Sequence, residues 1–197
     1  MHILHYTLGF SPYRSGGLVK YAKDLMQTQI KLGHLVVALY PGGTSLFEKS
    51  CHVHWDKTYD GIRSFEMANP LPVPLMYGVK NIESATNSQN LDSYSFECLL
   101  DDVKPEVFHV HTLMGLPLEY LQIVHDRGIR IVYTSHDYFG LCPKVNFINQ
   151  DGEVCLGASA ERCAVCNAQA KSAMFLKVRN AKWVVPFKTI ARRRLKQ

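Results

Sequence analysis

The feature that most constrains the fold is the alternation of strand and helix patterns in the first forty or so residues. Met1–Tyr6 is an apolar run typical of a buried strand, and apolar residues recur at helical spacing from Leu18 to Ile30. Gly33 stands where the helix should end, and His34–Tyr40 is a second apolar strand. A strand, a crossover helix and a second strand predict a βαβ unit, and hence a parallel sheet covered on both faces.

The same alternation returns in the second half of the chain. Val107–His111 and Ile129–Thr134 are predicted strands, and the segment between them contains a predicted helix over Leu116–Arg127. A further helix is predicted over Tyr94–Val103, and one or two short strands within residues 44–66. Repeated βαβ units predict an α/β fold, a Rossmann-like doubly wound parallel sheet with flanking helices.

We expect one domain over residues 1–197, with an irregular cysteine-rich insertion over about 140–166 and a basic C-terminal helix over about 169–197. The formal net charge of +5 divides unevenly: residues 1–170 carry −4 and residues 171–197 carry +9. The basic segment is either a contact with an anionic membrane surface or the solvated face of a helix that packs on the domain; we prefer the second interpretation.

The N-terminus does not resemble a signal peptide, and no apolar run is long enough to span a bilayer. We therefore expect a cytoplasmic protein, either free in the cytoplasm or bound peripherally to the inner face of the membrane.

Four of the six cysteines lie within 25 residues, at Cys142, Cys155, Cys163 and Cys166. In a reducing compartment such cysteines are free thiols, metal ligands or catalysts. The last two form a Cys-x2-Cys pair, and two further thiolates in the same segment could complete a tetrahedral zinc site. The spacing leaves two interpretations open, a structural zinc or free thiols in a loop.

Three candidate functional segments follow predicted strands, where parallel sheets bind ligands. Gly16-Gly17 precedes the first helix and is either an anion-binding turn or a plain tight turn. His109 and His111 differ by two and so face one side of their strand; we expect His109 in the core. His136-Asp137 follows another strand, where an imidazole could contact a substrate hydroxyl beside a carboxylate.

Together these motifs resemble the N-terminal half of family 4 retaining glycosyltransferases, which have the two-domain GT-B architecture. The resemblance is carried by Gly16-Gly17 with Tyr21, by His109-Val-His-Thr-Leu-Met-Gly115 and by Thr134-Ser-His-Asp-Tyr-Phe-Gly-Leu-Cys-Pro143. It implies transfer of a sugar, with retention, from a nucleotide-sugar donor to a glycan or lipid-linked acceptor. It also implies that no catalytic metal is needed, so a zinc at the cysteines would be structural, and that no nucleic acid is bound.

The resemblance implies roles for particular residues. His136 would hydrogen-bond the donor sugar as the catalytic residue, and Gly16 and Gly17 would approach the donor diphosphate. The other substrate-binding residues would line the cleft, namely Tyr21, His111, Thr112 and Asp137.

Such enzymes carry a second, donor-binding domain with a pair of glutamates, which this sequence lacks. We therefore expect an acceptor-side half that is inactive alone.

Two alternatives stand beside this interpretation. One is a zinc-stabilised module that binds nucleic acid or another partner through the cysteine segment and basic tail. That segment, however, has only Lys144 and Arg162 as basic residues, against three acidic ones. The other is a stand-alone α/β enzyme using His136-Asp137, which lacks a recognisable nucleophile motif.

Overall fold

Six strands form a single sheet in the computed structural model, which describes residues 1–45, 48–86, 88 and 90–179. The strands are β1 (His2–Tyr6), β2 (Leu35–Pro41), β3 (His52–Tyr59), β4 (Ile62–Ala68), β5 (Val107–Val110) and β6 (Arg130–Tyr133). Their order across the sheet is β3-β4-β2-β1-β5-β6, and every pairing except β3 with β4 is parallel. The predicted Rossmann-like α/β fold is confirmed, with one antiparallel strand at the edge.

Within the described ranges, five helices accompany the sheet: α1 (Gly17–Lys31), α2 (Ser93–Val103), α3 (Leu118–Asp126), α4 (Ala160–Cys166) and α5 (Ala173–Arg179). Short 3-10 turns occupy Leu75–Tyr77 and Glu83–Ala85. α1 to α3 lie within two residues of their predicted bounds. Their ends have local causes: Gly33 adopts a φ of +84° just beyond α1, and Asp92 caps α2 by accepting a hydrogen bond from the Ser95 N–H at 3.2 Å.

The helices divide between the two faces of the sheet because strand side chains alternate. Leu4 and Tyr6 of β1 pack in a core with Phe96 of α2 and Tyr120 of α3, whose rings stack at 4.0 Å. On the other face, Ala22 and Met26 of α1 pack against side chains of β2 and β4. His5 points to this second face, since it pairs in register with Ala38 of β2.

The predicted strands within residues 44–66 are the hairpin of β3 and β4, although β4 continues two residues beyond that range. Asp60 and Gly61 connect the strands and both have positive φ, 48° and 85°. That is the conformation of a two-residue hairpin turn, and Asp-Gly is among its preferred sequences.

The cysteine-rich insertion is mostly irregular, as predicted, but its end is the seven-residue helix α4, which the apolar spacing does not indicate. Ser159 caps it by accepting a hydrogen bond from the Arg162 N–H at 3.2 Å. α5 lies inside the helix predicted from residue 169. The basic helix predicted toward Gln197 falls beyond residue 179, outside the described residues.

Candidate functional site

The strand order reverses between β1 and β5, and chemistry-bearing side chains gather where these strands end. From β1 the chain proceeds to β2 on one side, and β5 leads to β6 on the other. The loops after β1 and β5 therefore diverge and leave a crevice at the carboxyl ends, which is the usual ligand position in doubly wound sheets.

Three buried histidines lie beneath this crevice on the α1 side of the sheet. His5 pairs in register with His109 across β1 and β5, and His111 follows two residues later on the same face. The exposed fractions of these residues are 0%, 9% and 0% for His5, His109 and His111. His109 is thus a core residue, as expected, but the core around it consists partly of other imidazoles.

Each buried histidine has hydrogen-bond partners. His5 Nδ1 lies 3.0 Å from His111 Nε2, and His5 Nε2 lies 2.8 Å from Oε1 of Gln29 on α1. His109 Nε2 lies 2.8 Å from the Thr134 hydroxyl. His111 Nδ1 lies 3.4 Å from Nε2 of His136, which is only partly buried. The cluster therefore connects helix α1 to the predicted catalytic histidine.

The cluster is held in its neutral form at pH 7. Burial lowers the pKa of His5 to about 4, helped by His109, although the hydrogen bond that His5 makes to Gln29 opposes this shift. Burial and the neighbouring imidazoles lower the pKa of His111 to about 3. Burial also lowers the pKa of His109 and of His136, and in His136 the Asp137 carboxylate opposes the shift. Neutral imidazoles can each donate one hydrogen bond and accept another.

Asp137 and Thr112 are brought together at the mouth of the crevice. The Thr112 hydroxyl donates to Asp137 Oδ2 at 3.2 Å, and Asp137 Oδ1 accepts from the Phe139 N–H at 2.9 Å. The first bond joins the loop after β5 to the loop after β6, and the second lies within the loop after β6. The carboxylate is therefore fixed beside His136.

Tyr21 connects the start of α1 to the same place. Its ring lies 4.8 Å from the His136 ring and 6.0 Å from the His111 ring, edge-on to both. Since Tyr21 is one helical turn beyond Gly17, the N-terminus of α1 adjoins His136.

The two glycines before α1 differ in what the chain demands of them. Gly16 has a φ of +128°, a conformation that favours glycine. Gly17 lies outside the left-handed region, and a Cβ built on it would meet nothing within 4 Å. The first turn of α1 has no side-chain cap and no acidic residue. Its N–H groups are thus available to an anion, and no neighbour among the described residues requires glycine at position 17.

The four clustered cysteines are free thiols in the structure. Within the described part of the chain, the side chains whose ligand atoms converge, all within 4.8 Å of one another, are His5, His109 and His111, and the cysteines are not among them. The thiols of Cys155 and Cys166 instead approach the backbone carbonyls of Gly157 and Ile148. Zinc at all four cysteines stays a prediction, and it would require the segment to rearrange.

A groove of about 410 Å³ runs beside the crevice, between residues 79–86 and the cysteine-rich insertion. Its lining is largely apolar and includes Ile82, Phe139 and Leu141. Phe139 is two residues from Asp137, so the groove opens next to the polar site. Ile82 and Leu141 are more than half exposed, which leaves the apolar lining accessible.

The sequence patterns did not indicate the buried residues of this site. They identified His111, Thr112, His136, Asp137 and Tyr21, all of which the structure brings together, but not His5 or Gln29. A histidine inside an otherwise apolar strand is the one signal that could have pointed to His5, because a buried imidazole needs hydrogen-bond partners. Gln29 had no such signal among the polar residues of α1.

Comparison with known proteins gives limited help. No protein-family model and no solved structure matches the chain. The chain is 23% identical over 164 residues to a protein of Klebsiella pneumoniae described as an uncharacterized 42.6 kDa protein in cps region. The match covers 78% of this chain and 41% of that relative, so the chain spans less than half of the relative's length. No helix among the described residues has the length and apolarity to cross a membrane.

Proposed function

We propose that this chain is the acceptor-side half of a retaining glycosyltransferase that takes part in polysaccharide assembly. It would transfer a sugar from a nucleotide-sugar donor to a glycan or lipid-linked acceptor. The observation that carries the proposal is the convergence of His136, Asp137, Tyr21 and the uncapped, glycine-preceded N-terminus of α1 at the reversal of strand order. The relative encoded in a cps region supports the polysaccharide context.

The proposed chemistry assigns each group a physical task. The N–H groups after Gly16 and Gly17 would stabilise the negative charge on the departing diphosphate, since helix N-termini favour anions. His136 would hydrogen-bond a hydroxyl of the donor sugar and so orient the reacting carbon. Asp137, held by Thr112, would contact the acceptor or the sugar beside it. No metal takes part in this scheme.

The neighbouring groove suits the acceptor. Its apolar lining and its position beside Asp137 favour an acceptor with an apolar portion, such as a lipid-linked glycan. A lipid-linked acceptor would bring the protein to the cytoplasmic face of a membrane, where the basic residues after 170 would meet anionic lipids. Nucleic acid is not part of the proposal, because the cysteine segment carries more acidic than basic residues.

The test uses the gene product that carries this chain, incubated with a panel of nucleotide sugars and a lipid extract of the source cells. We expect release of a nucleoside diphosphate with one of these donors. His136→Ala should abolish most of that release while leaving the circular dichroism spectrum unchanged. His125→Ala, at an exposed histidine on α3, is the matched control and should keep the original rate. Equal rates for His136→Ala and the unmodified protein, or no release with any donor, would overturn the proposal.

A further inference from the structure

Gln29, His5, His111 and His136 form a continuous chain of hydrogen bonds from helix α1 to the crevice. The rings of His5 and His111 are nearly coplanar, at 10°, and their centroids are 5.3 Å apart. That separation, with nitrogens 3.0 Å apart, is that of two imidazoles lying end to end with their nitrogens in line. The rings of His111 and His136 are also end to end, with centroids 5.6 Å apart and nitrogens 3.4 Å apart, but their planes are tilted by 32°.

A chain of neutral imidazoles has a direction. Each neutral ring carries one proton, so a ring that donates at one nitrogen must accept at the other. The protons in the chain are therefore correlated, so the group at one end determines where the proton lies at the other. At the end on helix α1 that group is Oε1 of Gln29, a partly buried acceptor.

From that end the assignment follows ring by ring. His5 donates from Nε2 to Gln29 and accepts at Nδ1, and His111 donates from Nε2 to it. His111 then accepts at Nδ1, and His136 donates from Nε2. His136 is left with an unprotonated Nδ1, which can only accept a hydrogen bond.

We propose that Gln29, His5 and His111 are positioning residues that hold His136 in the Nε2-protonated tautomer, so that the bound sugar must offer a hydroxyl donor to Nδ1. The second clause rests on the proposed function. It defines the substrate class: a donor sugar whose hydroxyl opposite His136 is free, as opposed to a deoxy, fluoro or O-alkyl sugar at that position.

A metal ion is the competing use of these residues. His5, His109 and His111 offer ligand atoms within 4.8 Å of one another. In the relay, however, both ring nitrogens of His5 and both of His111 take part in hydrogen bonds, so coordination of a metal by either ring would break the chain. Relay and metal therefore exclude each other, and the test can separate them.

The decisive experiment records ¹⁵N NMR spectra of the histidine rings in this chain at pH 7, which report the tautomer directly. The unmodified chain and Gln29→Glu, which keeps the acceptor, should both show His136 protonated at Nε2. Gln29→Lys supplies a donor instead and should reverse the chain, with the His136 proton moving to Nδ1. Gln27→Lys, on the same helix two residues away, is the matched control and should leave the tautomer unchanged.

An unchanged His136 tautomer in folded Gln29→Lys would overturn the relay. If that variant does not fold, Gln29→Met removes the acceptor without adding charge and should convert His136 to a mixture of tautomers. A single Nε2-protonated form of His136 in that variant would also overturn the relay. Stoichiometric Zn²⁺ should leave the spectrum unaltered, and a joint shift of the His5, His109 and His111 nitrogens would replace the relay with a metal site.

A second arm tests the consequence for the substrate. In the active gene product, a donor lacking the hydroxyl opposite His136 should react about 10- to 100-fold more slowly in kcat/KM, the loss expected when a positioned acceptor is left unpaired. Equal rates would contradict the substrate assignment. The two arms fail separately: absence of transfer with every donor refutes the proposed function, whereas the tautomer measurement needs no activity and refutes only the relay.

Discussion

Acidification should destabilise this fold steeply, because the fold buries neutral histidines that become protonated when the chain unfolds. His5 and His111 have pKa values of about 4 and about 3 in the folded state, against an ordinary value of 6.5. Between about pH 6 and pH 4.5 the unfolded chain therefore binds nearly two more protons at these positions than the folded chain. Stability rises with pH wherever the unfolded state binds more protons, so this contribution is complete above about pH 7.5 and is lost as the pH falls.

The expected slope follows from the proton count. Each extra proton contributes about 1.4 kcal/mol per pH unit, so two give a slope of about 2.7 kcal/mol per unit. From pH 7.5 to pH 5 the free energy of unfolding should fall by about 4 kcal/mol, a large part of the roughly 5–15 kcal/mol typical of a domain. His109 and His136, whose pKa values are also lowered, act in the same direction.

Urea denaturation followed by circular dichroism between pH 5 and pH 7.5 measures this slope. His111→Asn should flatten it by about one proton, or about 1.4 kcal/mol per unit, if the variant folds. His125→Asn, outside the cluster, should reproduce the original profile. The reasoning is refuted if the slope corresponds to less than one proton, or if the Hε1 resonances of His5 and His111 titrate near pH 6.5.

Two further predictions concern the glycine turn and the cysteines. Gly17→Ala should leave the fold intact or stabilise it by up to about 1 kcal/mol, because alanine is the better helix former. The same substitution should weaken nucleotide-sugar binding about 10-fold or more, because the added Cβ keeps the diphosphate from the N–H groups. Thermal denaturation measures the effect on stability, and calorimetric titration measures the effect on binding. An unchanged affinity for the nucleotide sugar would contradict an anion site at Gly16-Gly17. If the four clustered cysteines bind zinc, metal analysis of the purified chain should find about one zinc, lost in Cys163→Ser but retained in Cys98→Ser. A metal-free, folded chain would rule out the four-cysteine site.

The sheet could be predicted from the sequence where the apolar periodicity agreed with the residues that end helices and strands. β1, α1 and β2 follow from apolar runs ended by Gly33, and each element is long enough for its period to be recognised. β3 could not be delimited in this way, because an edge strand with exposed and half-buried residues has no sustained apolar pattern. The Asp60-Gly61 pair was the available signal for that hairpin.

The outer residues of the site could be predicted because topology fixes them: parallel strands place their carboxyl ends along one edge, so His111, Thr112, His136 and Asp137 had to lie near one another. The inner residues could not. His5 and His111 are 106 residues apart, and their contact depends on β1 and β5 being neighbours, an order that local patterns do not specify.

The cost of the buried histidines is itself an argument that they have a task. In the cores of doubly wound sheets these strand positions ordinarily carry valine or leucine, whose side chains do not titrate and so add no pH dependence to stability. This chain instead places imidazoles at positions 5, 109 and 111 and satisfies each through a side chain from a different element: Gln29 of α1, Thr134 after β6, and His136 in the loop beyond. Packing alone would not select a network that costs about 4 kcal/mol at pH 5. Departures from an apolar core concentrate at functional sites, and this one reaches the crevice through His136.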